Sequence, residues 1–194
     1  TMFVGGNFTL GSGTTFSEVG SGTDIINFNG TSPQVYTSAI SLTNTINVVV
    51  SSGATLQMGT GASPSVLSGS NGYFTLSSGA TLGITSPYGI TTSGTGATSG
   101  NIQLSGTRTF STGANYIYNG TNAQVTGAGL TQNTAANLTI DNPAGVTLSN
   151  TINISGLLTM SRGTLKMAAR YITAGSLTGS SDITGGSGAL SITI

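Results

Sequence analysis

Four apolar–polar–apolar triplets follow one another late in the chain: Val146-Thr147-Leu148, Ile152-Asn153-Ile154, Leu158-Thr159-Met160 and Leu165-Lys166-Met167. Alternation with a period of two marks a strand with one buried face. The linkers, Ser149–Thr151, Ser155–Leu157 and Ser161–Thr164, are rich in Ser, Gly and Asn. These residues tolerate tight turns and left-handed backbone angles. Three steps of similar length carry one triplet to the next, so Leu148 finds its like at Met167. Three short strands and three bends thus return the chain to its starting direction, one layer higher. Such a chain is an all-β, single-stranded parallel β-helix (a β-solenoid), right-handed by the usual crossover preference. The register predicts Val146, Leu148, Ile152, Ile154, Leu158, Met160, Leu165 and Met167 inside, and Thr147, Asn153, Thr159 and Lys166 outside.

The coils differ in length. Val50–Leu56, VSSGATL, returns as LSSGATL at Leu76–Leu82, a longer step than that from Leu148 to Met167. Coils of roughly 19–26 residues are therefore expected, in the lower part of the range for solenoid repeats. The surplus is expected in loops such as Gly59–Ser65. Thr91–Gly100, TTSGTGATSG, carries no alternation and reads as a surface loop or a junction. A longer similarity is superimposed on the coils. Gly100–Phe110 matches Gly6–Phe16, Tyr118–Val125 matches Phe28–Val35, and Leu148–Ile154 matches Leu42–Val48. On this basis residues 1–194 read as one continuous solenoid segment of a longer chain, with internal units of about 1–99 and 100–194. Turn signals every six or seven residues are too close for the strands of a β-sandwich.

Charge supports stacking. Only 4% of residues are charged, with four acids and four bases, against about 25% in an ordinary domain. Thr, Ser, Asn and Gly take their place and can lie on like residues one coil above without repulsion. No basic stripe exists to hold a nucleic acid, and no apolar run is long enough for a membrane span. Cysteine and histidine are absent, which removes disulfides, thiolate metal sites and the commonest general base.

The segments Asn119-Gly120-Thr121 with Gln124-Val125, Asn137–Asn142 (NLTIDN), Gly145–Leu148 and Gly163-Thr164-Leu165 carry a resemblance. They resemble the repeats of very large Bacteroidetes surface proteins, including gliding-motility adhesins and other cargo of the type IX secretion system. The resemblance covers about half the chain. It implies a secreted, repetitive, β-rich bacterial protein displayed at the cell surface. The function it implies is a structural or adhesive stalk, with surface glycans or other surface components and the secretion machinery as partners.

The chemistry-bearing residues give no catalytic constellation, metal site or cofactor site, and the chain reads as a non-enzyme. Glu18 and Asp24 are the one near pair of acids, and they are expected to flank a solvated loop, Val19–Thr23. Asp141, in Asp141-Asn142-Pro143, reads as a turn residue, and Asp182 precedes a glycine run that lacks the Asp a calcium-binding repeat needs. Arg162, Lys166 and Arg170 cluster as a basic patch, while Arg108 stands alone. Among the tyrosines, Tyr116 and Tyr118 are expected to fill the interior or a corner. The alternative function is a carbohydrate-binding or carbohydrate-active β-helix. A carbohydrate-active site requires at least two acids to meet Arg108, Arg162 or Lys166 in one groove.

Overall fold

The computed structural model describes residues 1–20, 23–60, 63–130 and 135–192. The loops expected at Val19–Thr23 and Gly59–Ser65 lie partly outside these residues. The described chain is a parallel β-solenoid of about eight turns, without a helix. The first coil carries β1 (Met2–Val4) and β2 (Phe8–Leu10), and the second β3 (Asp24–Phe28) and β4 (Gln34–Ser38). The third holds β5 (Ile46–Val50), β6 (Thr55–Met58) and β7 (Leu67–Gly69). Next come β8 (Phe74–Leu76), β9 (Thr81–Ile84) and β10 (Ile102–Leu104), then β11 (Arg108–Phe110), β12 (Asn115–Tyr118) and β13 (Gln124–Val125). The later coils carry β14 (Asn137–Asp141), β15 (Val146–Thr147), β16 (Ile152–Arg162), β17 (Leu165–Lys166), β18 (Ile172–Gly179), β19 (Ile183–Thr184) and β20 (Leu190–Ile192).

These strands form three faces. The first face is the ladder β1-β3-β5-β8-β11. The second is nine strands deep, β2-β4-β6-β9-β12-β14-β16-β18-β20, and runs from the first coil to the last. The third is built in two pieces, β7-β10 and β13-β15-β17-β19. The strand ladders are parallel throughout.

The triplets do what their alternation requires. Val146, Leu148, Ile152, Ile154, Leu158, Met160, Leu165 and Met167 are all buried. Asn153 and Lys166 are exposed, and Thr147 and Thr159 are half-buried. Val146 pairs with Leu165 and Thr147 with Lys166, so the shorter step read in the sequence is one lap. Each such buried aliphatic side chain contributes about 1.5–3 kcal/mol.

The longer step is also one lap: Val50 pairs with Leu76, and Leu56 with Leu82. The turns between these strands stack as well. The Ala54 N–H donates to the Ser51 carbonyl at 3.0 Å, and Ala80 repeats the bond to Ser77 at 3.1 Å. A third copy closes Ser111-Thr112-Gly113-Ala114, where Ala114 donates to Ser111 at 3.1 Å. Gly53 and Gly79 lie in the left-handed region, with φ of 81° and 78°, where a side chain is strained. The three alanines face the core and are buried.

Lap length varies more widely than the two sequence steps suggest. Ile172 pairs with Leu190, a lap of 18, whereas Leu67 pairs with Ile102, a lap of 35. The long lap comes from an excursion closed at its base by an antiparallel bridge between Ile90 and Gly100. The aromatic core residues Phe28, Tyr36, Phe74, Tyr116 and Tyr118 lie in the first five coils, and the later coils are filled by residues such as Leu158, Met160, Leu165 and Ala174.

Bends expose backbone groups to the interior, and buried amides satisfy them. Gln34 accepts from the Gly30 N–H at 2.8 Å and donates to the carbonyls of Val4 (2.5 Å) and Gly6 (3.1 Å). Gln124 accepts from Gly120 at 2.9 Å and donates to Ile84 and Ser86, at 3.0 and 2.9 Å. The shared Asn-Gly-Thr…Gln-Val motif is therefore a bend staple. Its two copies stand at different bends: Gln34 opens a second-face strand and Gln124 a third-face strand. Phe8–Leu10 and Ile102–Leu104, also alike in sequence, likewise lie on different faces.

Candidate functional site

The excursion after Ile90 lies beside the third face and makes a groove there. Arg108 holds it in place. Arg108 is in register with the buried Phe74, yet its guanidinium reaches out of the stack. Its Nε donates to the Leu104 carbonyl at 2.9 Å, and its terminal nitrogens donate to the Thr91 hydroxyl at 3.0 Å and to the Gly94 carbonyl. No carboxylate of the described residues pairs with it. Burial in this neutral setting lowers its pKa, because desolvation disfavours the charged form. Arg108, solitary in the sequence, is thus a buried clamp.

Asn101 fixes the other side of the excursion. It is fully buried, accepts from the N–H groups of Thr85 (2.9 Å) and Ser86 (2.8 Å), and donates to the Ser65 carbonyl (2.7 Å) and Thr85 hydroxyl (3.1 Å). The fourth coil consequently meets its neighbours with two different segments. β10 pairs with β7 of the coil before, while Pro87 and Ile90 bond Val125 and Thr126 of the coil after.

Between the excursion and the Pro64–Ser68 segment lies a cleft of about 580 Å³. Its working surface is Tyr88, Gln103, Ser41, Ser68, Ser86 and Thr95, and no lining residue is charged. Ser41, Ser68, Thr95 and Gln103 also line an adjoining hollow of about 410 Å³. Tyr88 is 43% exposed. It is positioned by a turn in which Gly89 has φ 63°; a Cβ there would collide with the Thr126 and Val125 carbonyls. Gln103 is only 7% exposed. Its Nε2 donates to the Gly100 carbonyl at 2.9 Å, and its Oε1 accepts no hydrogen bond from a described residue. The hydroxyls of Ser41 and Ser68 lie 2.8 Å apart.

The acids and bases are distributed differently from the sequence reading. Glu18, expected to flank a solvated loop, is buried at 6% exposure; its backbone carbonyl is held by the Asn44 amide at 2.7 Å. Asp24 is exposed at the start of β3. Asp141 is the last residue of β14, not a turn residue. It receives Arg162 from the next coil at 2.5 Å (Nε to Oδ1) and 3.0 Å (terminal nitrogen to Oδ2). Asn142 makes the turn instead, accepting from the Ala144 N–H at 2.8 Å. The Asp141 carboxylate raises the pKa of the Arg162 guanidinium. Pairing removes Arg162 from the basic patch, leaving Lys166 and Arg170 exposed. Asp141–Arg162 is the one ion pair among the described residues. No three His, Cys, Asp or Glu of the described residues come together as a metal site.

Tyr116 and Tyr118 fill the interior as expected, and Tyr36 joins them. Tyr116 donates to the Ser111 carbonyl at 2.8 Å and Tyr118 to Thr126 at 2.7 Å. Sequence reasoning does not separate Tyr88 from the other tyrosines, and it misses Gln103. The signal that could have found Tyr88 is Pro87-Tyr88-Gly89, which places an aromatic at a turn facing a long unpatterned loop. No family model, no characterised protein and no solved structure matches the chain.

Proposed function

We propose that this chain is a structural and adhesive repeat region of a secreted bacterial cell-surface protein, working as a stiff spacer or adhesin stalk. The observation that carries the reading is the nine-stranded second-face ladder. Nine parallel strands at about 4.8 Å spacing make a continuous hydrogen-bonded spine of about 38 Å. Load along such a spine is shared by many backbone bonds, and each lap adds length without altering its neighbours. The almost uncharged surface suits a repeated rod, since like charges would otherwise recur at every lap. The resemblance of Asn137–Asn142, Gly145–Leu148 and Gly163-Thr164-Leu165 to Bacteroidetes surface repeats supports location outside the cell and export by the type IX system.

Antibodies raised against the chain test this in the source bacterium. They are expected to label intact cells, and the label is expected to vanish when the secretion system is inactivated. Labelling that requires permeabilised cells overturns the reading.

A further inference from the structure

The geometry points to the cleft between Tyr88 and Gln103 as a binding site for a neutral oligosaccharide. The inference gives the adhesive part of the preceding reading a place on the molecule. It is tested separately from surface location, which antibody labelling decides.

Four observations converge. The cleft volume of about 580 Å³ falls within the range of small-ligand sites, about 300–1,000 Å³. Its lining carries no charge, so a uronate or sulfated sugar finds no counter-charge there and loses hydration on entry. Ser41, Ser68 and Thr95 present hydroxyls, which both donate and accept and so match sugar hydroxyls of either orientation. Tyr88 offers an exposed aromatic ring, a flat apolar surface for the C–H face of a pyranose, with a polar tip.

Gln103 adds the most specific element. The residue is only 7% exposed and lines both hollows. The Nε2 group is committed to the Gly100 carbonyl, which fixes the orientation of the side chain and leaves Oε1 as a free acceptor. That acceptor is within reach of solvent, and a sugar hydroxyl supplies it with a donor in place of water. Arg108 and Asn101 hold the two sides of the excursion in advance, so little ordering remains to be done on binding.

The test is titration calorimetry of the whole chain with linear hexaoses of β-1,4-glucan, β-1,3-glucan, β-1,4-mannan and β-1,4-xylan, and with hexagalacturonate as the charged comparison. At least one neutral hexaose is expected to bind with Kd of about 1 mM or tighter. Tyr88→Ala, at an exposed ring, is expected to keep the parent melting curve and weaken that binding about tenfold or more. Gln103→Leu is expected to weaken it comparably. Tyr171→Ala, an exposed tyrosine outside the cleft, is expected to bind as the parent. Failure of every neutral hexaose, equal or tighter binding of hexagalacturonate, or undiminished binding by Tyr88→Ala overturns the proposal.

Discussion

Gln57 and Asn119 lie on coils two laps apart and exchange two amide hydrogen bonds, at 2.7 and 3.2 Å. The coil between them contributes Gly83, which is in register with Gln57 on one side and Ile117 on the other. A Cβ at Gly83 would run into the Gln57 amide. The glycine therefore lets one side chain span a whole lap and tie the third coil to the fifth. Gly83→Ala should push Gln57 aside and cost about 1 kcal/mol, the worth of the lost amide pair. In a Gln57→Ala background the same substitution should be neutral or stabilising. A double-mutant cycle read by urea denaturation measures this; equal cost in both backgrounds would contradict it.

The bend staples should be far more sensitive than their number suggests. Gln124→Leu keeps the volume but strands the Ile84 and Ser86 carbonyls and the Gly120 N–H. The amide of Asn142, which donates to Gln124 at 2.8 Å, also loses that partner. A loss of about 3 kcal/mol or more is expected, seen as a lower urea midpoint with an unchanged slope.

Alkaline pH should unfold the protein through its buried phenols. Desolvation pushes Tyr36 up to about 12 and raises Tyr116 and Tyr118 as well. Because the folded values lie above the unfolded value of about 10, the unfolded chain ionises first. Their contribution is complete below about pH 10 and is lost as pH rises toward and beyond 12. Melting temperatures from pH 8 to 12 check the sign.

The same phenols separate a bonded hydroxyl from an unbonded one. Tyr36 Oη makes no well-formed hydrogen bond among the described residues, only a weak approach to the Ser38 side chain, whereas Tyr118 Oη donates to Thr126. Tyr36→Phe should be neutral or stabilising by up to about 1 kcal/mol and should reduce the alkaline loss; Tyr118→Phe should cost about 1 kcal/mol. Thermal melts at pH 7 rank the two, and the reverse order would refute the assignment.

Arg108→Leu should spare the stack and free the excursion. Leucine still covers Phe74, but Thr91 and Gly94 lose their donors. Cleavage within Thr91–Ser99 under limited proteolysis should accelerate about tenfold, while the far-UV spectrum stays that of the parent. Leu158→Asp is the opposite case. Leu158 is fully buried between Leu138 and Leu177 on the neighbouring laps. A carboxylate there should cost more than about 4 kcal/mol, read as loss of the cooperative melt.

The lap from Leu148 to Met167 is legible in the sequence because neither coil carries an insertion, so strand period and lap period reinforce each other. Val50–Leu56 and Leu76–Leu82 are legible for another reason: the Ser-Ser-Gly-Ala-Thr-Leu turn recurs unchanged although the lap is longer. The third turn of that series, Ser111–Ala114, is hidden by the excursion, which displaces it from the step that joins the first two. Asn29–Gln34 and Asn119–Gln124 are recognisable as one motif, but not as stapling different bends. Local hydrogen bonding fixes the motif, whereas its place around the coil depends on how many residues the preceding lap used.

Alternation and composition alone determined the solenoid, its inward residues and its freedom from charge repulsion, because period two and like-on-like stacking are properties of neighbours in sequence. Tertiary structure decided the rest. Burial of Glu18, the reach of Arg108 into the excursion, the pairing of Asp141 with Arg162 and the cleft shared by Tyr88 and Gln103 all join residues of different segments. Glu18, Arg108 and the cleft depend on the path of irregular loops, which carry no period and so leave no trace in the pattern of apolar and polar residues; the ion pair depends on the register of two laps, shifted by one residue after Ile140.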